Sequence, residues 1–485
     1  MAASSRDSEW REQLRADLSA RERTAIPRAS MSMLHGNYRV TCNREVNLGL
    51  SREQAILEAT RCLDCPDPQC VGGCPVGIDI PGFIKNIQRG DVDMAAAILK
   101  QSSPLPAVCG RVCPQERQCE SRCIYHKMKK QPVAIGYLER YAADNAGPVE
   151  ATRAPRLGIK VAAVGSGPAG LAFAGDMAAR GFDVTVFEAL HEIGGVLKYG
   201  IPEFRLPNSI VDTEIEALRH MGVEMVKDCV IGKTISYDAL IEMGFAGVFV
   251  ASGAGLPRFM GIPGENLNGV MSANEYLTRI NLMGAGKPGC DTPVLKGRSV
   301  AVIGGGNTAM DSVRTARRMG AERAMIVYRR SDAEMPARAE EIEHARQEGV
   351  LFMTLHNPVE YRGDERGRVN KMIVQRMELG EPDESGRRSP VPVEGDLIEV
   401  DVDLVIVSVG VSPNPLIPNA VHGLDVSRRG TIVVNDATMQ SSIPSLYAGG
   451  DIVRGGATVI LAMGDGRRAA AAMAEAIAQR SSQSK

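Results

Sequence analysis

Across its 485 residues the chain has no long run of Lys or Arg, and its formal net charge is only −2. The electrostatic footprint that nucleic acid or an anionic membrane requires is therefore missing. No stretch approaches the roughly 18 apolar residues of a spanning helix. The segment from Met1 to Trp10 carries Arg6, Asp7 and Glu9 without an apolar core, so no secretory signal is expected there. None of the seven histidines forms a metal-spaced pair, and no Ser, Cys or carboxylate constellation for hydrolysis is visible. These absences point to a cytosolic protein that is not a hydrolase. In a reducing compartment, disulfides explain its 11 cysteines poorly.

Eight of those cysteines fall in two tight runs, Cys62-x2-Cys65-x4-Cys70-x3-Cys74-Pro75 and Cys109-x3-Cys113-x5-Cys119-x3-Cys123. Thiolates at such spacings can wrap a compact inorganic core. A proline directly after the fourth cysteine matches the bacterial ferredoxin pattern, in which that cysteine ligates the other of two clusters. Two iron–sulfur clusters are the leading reading. A tetrahedral zinc held by Cys62, Cys65, Cys109 and Cys113 is one alternative, and a cluster with no redox role is another. Cys229 and Cys290 stand alone and are expected to be packing or surface residues.

The length exceeds what one core serves and suggests two to four domains. Residues 8–147 read as helical and loop-rich, with helices near 51–61 and 91–101. A Pro-, Ala- and Arg-rich linker is expected at 148–158. The texture then changes. A strand at 159–164 runs into Gly165-Ser166-Gly167-Pro168-Ala169-Gly170, a helix at 171–180 and a strand at 183–187. The same grammar returns with a strand at 299–303, Gly304-Gly305-Gly306-Asn307-Thr308-Ala309, a helix through 319 and a strand at 324–328. Between the two units, a helix at 209–221 and a strand at 247–251 are expected. Strands at 367–379 and 397–409 should flank a polar loop at 381–395, which reads as a hairpin or meander with no chemistry of its own. The Arg362-Gly363-Asp364 sequence reads as ordinary turn chemistry. A strand region at 445–451 and an Ala-rich helix to 478 close the pattern.

In the first unit Gly165, Gly167 and Gly170, with Pro168 and Ala169, suit a tight turn and close backbone approach to a pyrophosphate at a helix N-terminus. Glu188, about twenty residues on, can accept from a ribose hydroxyl, which suits FAD or NAD. In the second unit Gly304, Gly306 and Ala309 take the same roles around Asn307 and Thr308. There Arg329 and Arg330 replace the acid and favour the 2′-phosphate of NADP(H), with Arg338 a further candidate. Gly450 and Asp451 could hold a flavin's ribityl chain, and the helix N-terminus at Ala457 and Thr458 could face its ring. The expected fold is α/β: two Rossmann-like nucleotide-binding domains, for FAD and NADPH, preceded by an α-helical domain binding two [4Fe–4S] clusters. Expected spans are 1–150 for the helical domain, 156–295 and 411–485 for the FAD domain, and 296–410 for the NADPH domain. Hydride would pass from nicotinamide to flavin, which can release electrons singly to one-electron clusters.

These motifs carry a resemblance over nearly the full length. Cys62 to Pro75 with the following Val-Gly-Ile-Asp-Ile-Pro-Gly-Phe, Gly-Tyr-Leu-Glu-Arg at 136–140, Val-Gly-Ser-Gly-Pro-Ala-Gly at 164–170 and Tyr-Ala-Gly-Gly-Asp at 447–451 resemble the small (beta) subunit of NADPH-dependent glutamate synthase. Similar architecture occurs in the N-terminal half of dihydropyrimidine dehydrogenase and in the large subunit of NADH-dependent ferredoxin:NADP oxidoreductase. The resemblance implies that Cys62, Cys65, Cys70 and Cys123 hold one [4Fe–4S] cluster and that Cys74, Cys113 and Cys119 hold the other. Glu139 or Cys109 would supply the last ligand. It also implies a hetero-oligomer, in which electrons reach an FMN-containing large subunit that makes glutamate from glutamine and 2-oxoglutarate. The chain shows neither an N-terminal cysteine nucleophile nor an FMN barrel, so it would act through that partner. A ferredoxin-linked, bifurcating or sulfide dehydrogenase-type assembly is the alternative, and an assembly module with structural cofactors is a reading of another class.

Overall fold

The computed structural model describes residues 5–147, 153–384 and 386–483. Part of the expected linker, 148–152, lies outside them.

The helical region is ordered by its caps and one apolar seam. Ser51 and Gln54 form a reciprocal capping box at the start of the helix Arg52–Arg61. Asp79 accepts from Gly82 N at 3.0 Å to start Ile80–Gln88, and Asp91 accepts from Met94 N at 3.1 Å to start Val92–Ser102. These side chains satisfy amides that a helix leaves free in its first turn. The helix Ile80–Gln88 is buried from Ile80 to Ile87, because Arg52–Arg61, Val92–Ser102 and Ile135–Asn145 all pack against it.

Two parallel five-stranded sheets follow. The first has the order Leu446–Ala448, Phe245–Val250, Lys160–Val164, Asp183–Phe187, Glu224–Val226. The second has the order Val270–Ser272, Leu404–Val407, Ser299–Ile303, Arg323–Tyr328, Leu351–Thr354. Their central strands are buried on both faces, which is why they read as continuous apolar runs. The second unit is thus inserted between strands of the first sheet. A boundary at 295/296 does not follow the packing: Val270–Ser272 pairs with Leu404–Val407, and Ala273, Tyr276 and Leu277 lie in the second unit's core.

The hairpin expected around 381–395 is present, and its strands run well into the expected loop. The strands Val369–Pro382 and Arg388–Asp401 form a long antiparallel hairpin with His356–Gly363 beside it. Most of Arg388–Asp401 is exposed, so its polar, Pro and Gly residues met no demand for apolar alternation. The expected strand at 397–409 is likewise divided, since Leu404–Val407 belongs to the second sheet.

The two α/β units are joined by a buried ionic network. Phe204, from the first unit, lies under the guanidinium groups of Arg314 and Arg318, at 4.7 and 3.7 Å from its ring centre. Its neighbour Arg205 donates to Asp311 at 2.8 Å and lies 3.4 Å from Glu341. Glu348 accepts from Arg314 at 2.8 Å and from Arg318 at 2.6 Å. Burial alone would raise the Glu348 carboxyl, but the Arg318 and Arg314 contacts outweigh it and hold the group down to about 2. Glu348→Gln should cost about 3–5 kcal/mol in urea melts at pH 7, the range for breaking a buried pair. The folded-state value is depressed, so the carboxylate's contribution is complete above the unfolded value of about 4.5. The gap between wild type and variant should shrink as pH falls from there towards about 2.

Candidate functional site

Each α/β unit opens on a glycine turn built in the same way. At Gly165, with φ +105°, a Cβ would lie 2.4 Å from Ala251 O, and at Gly170 one would lie 1.9 Å from Gly165 O. Backbone therefore packs directly on backbone there. At Gly167 and Gly306, in contrast, a Cβ would meet nothing within 4 Å, so each turn leaves open space in front of a helix N-terminus. Glu188 is held in place by its own surroundings: Ser166 donates its amide at 2.9 Å and its hydroxyl to Oε2, and Leu190 N donates to Oε1 at 2.9 Å.

Both turns face one cleft of 1420 Å³, larger than the roughly 300–1,000 Å³ of a single small-molecule pocket. Gly165, Gly167, Pro168, Ala169 and Glu188 line one part, Gly306, Asn307 and Thr308 another, and Gly450, Asp451, Ala457 and Thr458 a third. Gly170, Gly304 and Ala309 sit behind the turns and are absent from the lining. Asp451 accepts from Ala457 N at 2.9 Å, and burial pushes its carboxyl up. Sequence reasoning missed Tyr199 and the Arg205–Asp311 pair, which also line the cleft. Burial, with the charges of Asp451 and Glu188, pushes the Tyr199 phenol up to about 12. Asp311, one helical turn after Asn307, offered the only local signal for that pair.

The three arginines part company. Arg329 is exposed at the end of Arg323–Tyr328 and has no ion pair among the described residues. Arg330 is buried, pairs with Asp383 and donates to Arg388 O at 2.8 Å, which ties the hairpin to the second sheet. Arg338 is buried too; it donates to Arg111 O at 2.6 Å and to Gln115 Oε1 at 2.9 Å, joining the second unit to the helical region.

The cysteines form two groups. Cys62 ends the helix Arg52–Arg61, Cys70 lies in Gln69–Gly72, and Cys123 ends the short turn Glu120–Arg122. Burial, then the charges of Cys62, Cys123 and Cys65, push the Cys70 thiol far up, so these four share one place. Cys74, Cys113, Cys119 and Glu139 line a second, small cavity. Glu139 is buried and its Oε1 has no hydrogen-bond partner; burial and the charge of Glu214 push it up to about 8. Cys109 does not line this cavity, and its thiol donates to Met463 Sδ at 3.5 Å. Among the described residues no three His, Cys, Asp or Glu side chains come together as a single ion needs. The zinc set weighed above is also split, with Cys62 and Cys65 in one group and Cys113 in the other. Two thiol groups, one completed by an orphaned buried carboxyl oxygen, fit the ligand chemistry of iron–sulfur clusters.

The cleft and the second group are close neighbours. Val112 and Pro114 line the cleft, while Cys113 between them lines the small cavity. Gln118 Nε2 donates to Thr458 Oγ1 at 3.4 Å across the same wall.

Residues 39–150 match the family model described as dihydropyrimidine dehydrogenase domain II, 4Fe-4S cluster, and residues 159–476 match pyridine nucleotide-disulphide oxidoreductase. The chain belongs to the pyridine nucleotide-disulphide oxidoreductase family. This oxidoreductase is 37% identical over 440 residues to the putative oxidoreductase AegA of Escherichia coli K12, covering 88% of this chain and 66% of that one. It is 38% identical over 437 residues to the NADP(+)-dependent formate dehydrogenase subunit beta of Moorella thermoacetica, covering 84% and 60%. With the glutamate synthase [NADPH] small chain of Azospirillum brasilense the identity is 37% over 436 residues, covering 88% and 90%. The chain thus spans two thirds or less of the first two relatives and nearly all of the third, and the resemblance to the glutamate synthase small chain holds. Mycobacterium tuberculosis FprA in complex with NADPH shares the fold, with a TM-score of 0.57 at 20% identity over 67% of this chain and 86% of that one. The oxidoreductase is an α/β protein whose two nucleotide-binding units follow a helical 4Fe-4S domain.

In this oxidoreductase, Gly170→Ala must push the first turn away from its helix. Overpacking of that kind costs about 1–3 kcal/mol, so the variant should lose about that much unfolding free energy relative to wild type, as read from urea melts.

Proposed function

We propose that the chain is the NADPH-oxidising electron-transfer subunit of a larger enzyme. Bound FAD would supply two-electron acceptance from NADPH and single-electron release, and two [4Fe–4S] clusters would supply one-electron carriage to an acceptor on another subunit. The observation that carries the reading is the cleft itself: both glycine turns open into it, and the residues flanking Cys113 form its wall.

The chain's own residues then take these roles. The first turn and the N-terminus of Pro168–Ala179 bind the FAD pyrophosphate, and Glu188, already oriented by Ser166, receives the ribose. Asp451 holds the ribityl side, and the helix Val459–Gln483 directs its N-terminus at the ring. The second turn binds NADPH, and Arg329 is the free guanidinium for the 2′-phosphate, Arg330 being occupied by Asp383 and Arg388 O. Cys74, Cys113, Cys119 and Glu139 hold the inner cluster beside the cleft, and Cys62, Cys65, Cys70 and Cys123 hold the outer one. The helical region is the iron–sulfur domain. The sheet completed by Leu446–Ala448 belongs to the FAD domain, and the inserted unit is the NADPH domain.

The proposed partner is an FMN-containing glutamate synthase large subunit in the cytoplasm, in keeping with the 90% coverage of the Azospirillum small chain. Comparable identity to a formate dehydrogenase subunit beta favours, as second reading, another assembly fed by the same electron route. Co-purification from the native source decides between them, since an FMN-bearing amidotransferase supports the first and another dehydrogenase replaces it.

Protein prepared without oxygen should hold about eight irons and eight sulfides per chain, and NADPH should bleach its flavin absorption. Zinc in place of iron would end the proposal. Arg329→Gln should raise KM for NADPH about tenfold or more, the loss of a charged hydrogen bond of about 1.5–3 kcal/mol, with little change for NADH. Arg330→Gln should instead lower Tm and leave the NADPH/NADH ratio near that of wild type.

A further inference from the structure

Two buried cations beside the outer cysteine group have no carboxylate partner among the described residues. Lys85 is 0% exposed, and its Nζ donates to Cys62 O at 2.5 Å and to Gln88 Oε1 at 2.8 Å, both neutral. Arg23 is 2% exposed and donates to the carbonyls of Thr60 at 2.6 Å, Leu18 at 3.2 Å and Leu14. The other cations there have carboxylate partners: Arg11 and Arg15 share Asp64, Arg15 also lies 3.9 Å from Glu12, and Arg61 pairs with Glu58. Burying an ammonium and a guanidinium without a counter-charge is costly. Their position at the end of Arg52–Arg61, against the carbonyls of Thr60 and Cys62, makes the outer thiolates the counter-charge they face.

The inner group has no such unpaired cation beside it among the described residues. Glu139 is buried with Oε1 unpartnered, and no Lys or Arg donates to it among the described residues. Neighbouring charges are spent elsewhere, Glu120 on Arg28 and Arg338 on Glu340. Glu139 takes the place of a thiolate among the inner ligands, so the two cages differ in the unpaired cations beside the outer one. Positive charge near a cluster favours its reduced, more negative state, and negative charge disfavours it.

We propose that Lys85, supported by Arg23, makes the outer cage the stronger electron acceptor, so that transfer from the inner to the outer cage runs downhill. In that step one electron leaves the inner cage and one arrives at the outer; no bond forms or breaks and no proton moves. Lys85 is a positioning charge in this scheme and gives the electron route its direction. The inference rests on the cysteine assignment of the preceding subsection.

The test is an anaerobic redox titration of the full chain followed by electron paramagnetic resonance, with iron and sulfide measured on the same samples. Lys85→Met should move the outer cluster's midpoint to more negative potential and leave the inner one in place, and Lys85→Arg should return it towards wild type. Full iron and sulfide content with an unmoved outer midpoint, or an equal shift of both, overturns the role of Lys85. Absence of iron and sulfide from wild-type protein refutes the cysteine assignment instead. Should Lys85→Met fail to assemble, wild type still decides. The inner signal is the one altered by Glu139→Cys, and the outer signal must appear first on reduction; the reverse order overturns the proposal.

Discussion

The arrangement depends on one shared core. Val108, Cys109, Val112 and Cys113 of the helical region pack in the same apolar cluster as Phe173, Phe249 and Met463 of the first α/β unit. The Phe173 and Phe249 rings stack at 4.6 Å between centres within it. Because the helix Pro106–Val112 is embedded in the core that supports the first glycine turn, Cys113 cannot drift from the cleft without opening that core. A protein interior packs closely enough to transmit such constraints directly. Proximity between the cleft and the Cys113 group is thus secured by hydrophobic packing.

The second α/β unit is attached by different means. Its link to the first is a network of charge and aromatic contacts around Phe204, Arg205, Arg314 and Glu348, and its link to the helical region is the buried Arg338. Ionic joints of this kind fix register and orientation more than they add net stability. Apolar packing therefore holds the Cys113 group against the first unit, and directional hydrogen bonds hold the second unit in place.

Much of this could be read from the residues. The strands Asp183–Phe187 and Ser299–Ile303 stood out because both of their faces are buried, and the glycine turns because close backbone contact admits no side chain. The hairpin could be read but not the length of its strands, since Arg388–Asp401 is solvated along most of its length and carries no apolar period. Arg329 and Arg330 are neighbours of the same type, and only the fold separates them: one ends a strand in solvent, the other reaches back to Asp383. The grouping of cysteines was legible from spacing and resemblance together. The orphaned oxygen of Glu139 and the unpaired charge of Lys85 emerge only when distant segments meet.

The first sheet is completed by a strand about two hundred residues beyond its neighbour: Leu446–Ala448 pairs with Phe245–Val250. During synthesis the edge of Phe245–Val250 therefore stays open while the entire inserted unit leaves the ribosome. That unit contains its own five strands and core, so it can fold before the sheet that brackets it closes. The late return of the chain means that the first sheet can close only after the inserted unit has been made, and it leaves an apolar strand edge exposed to wrong partners until then.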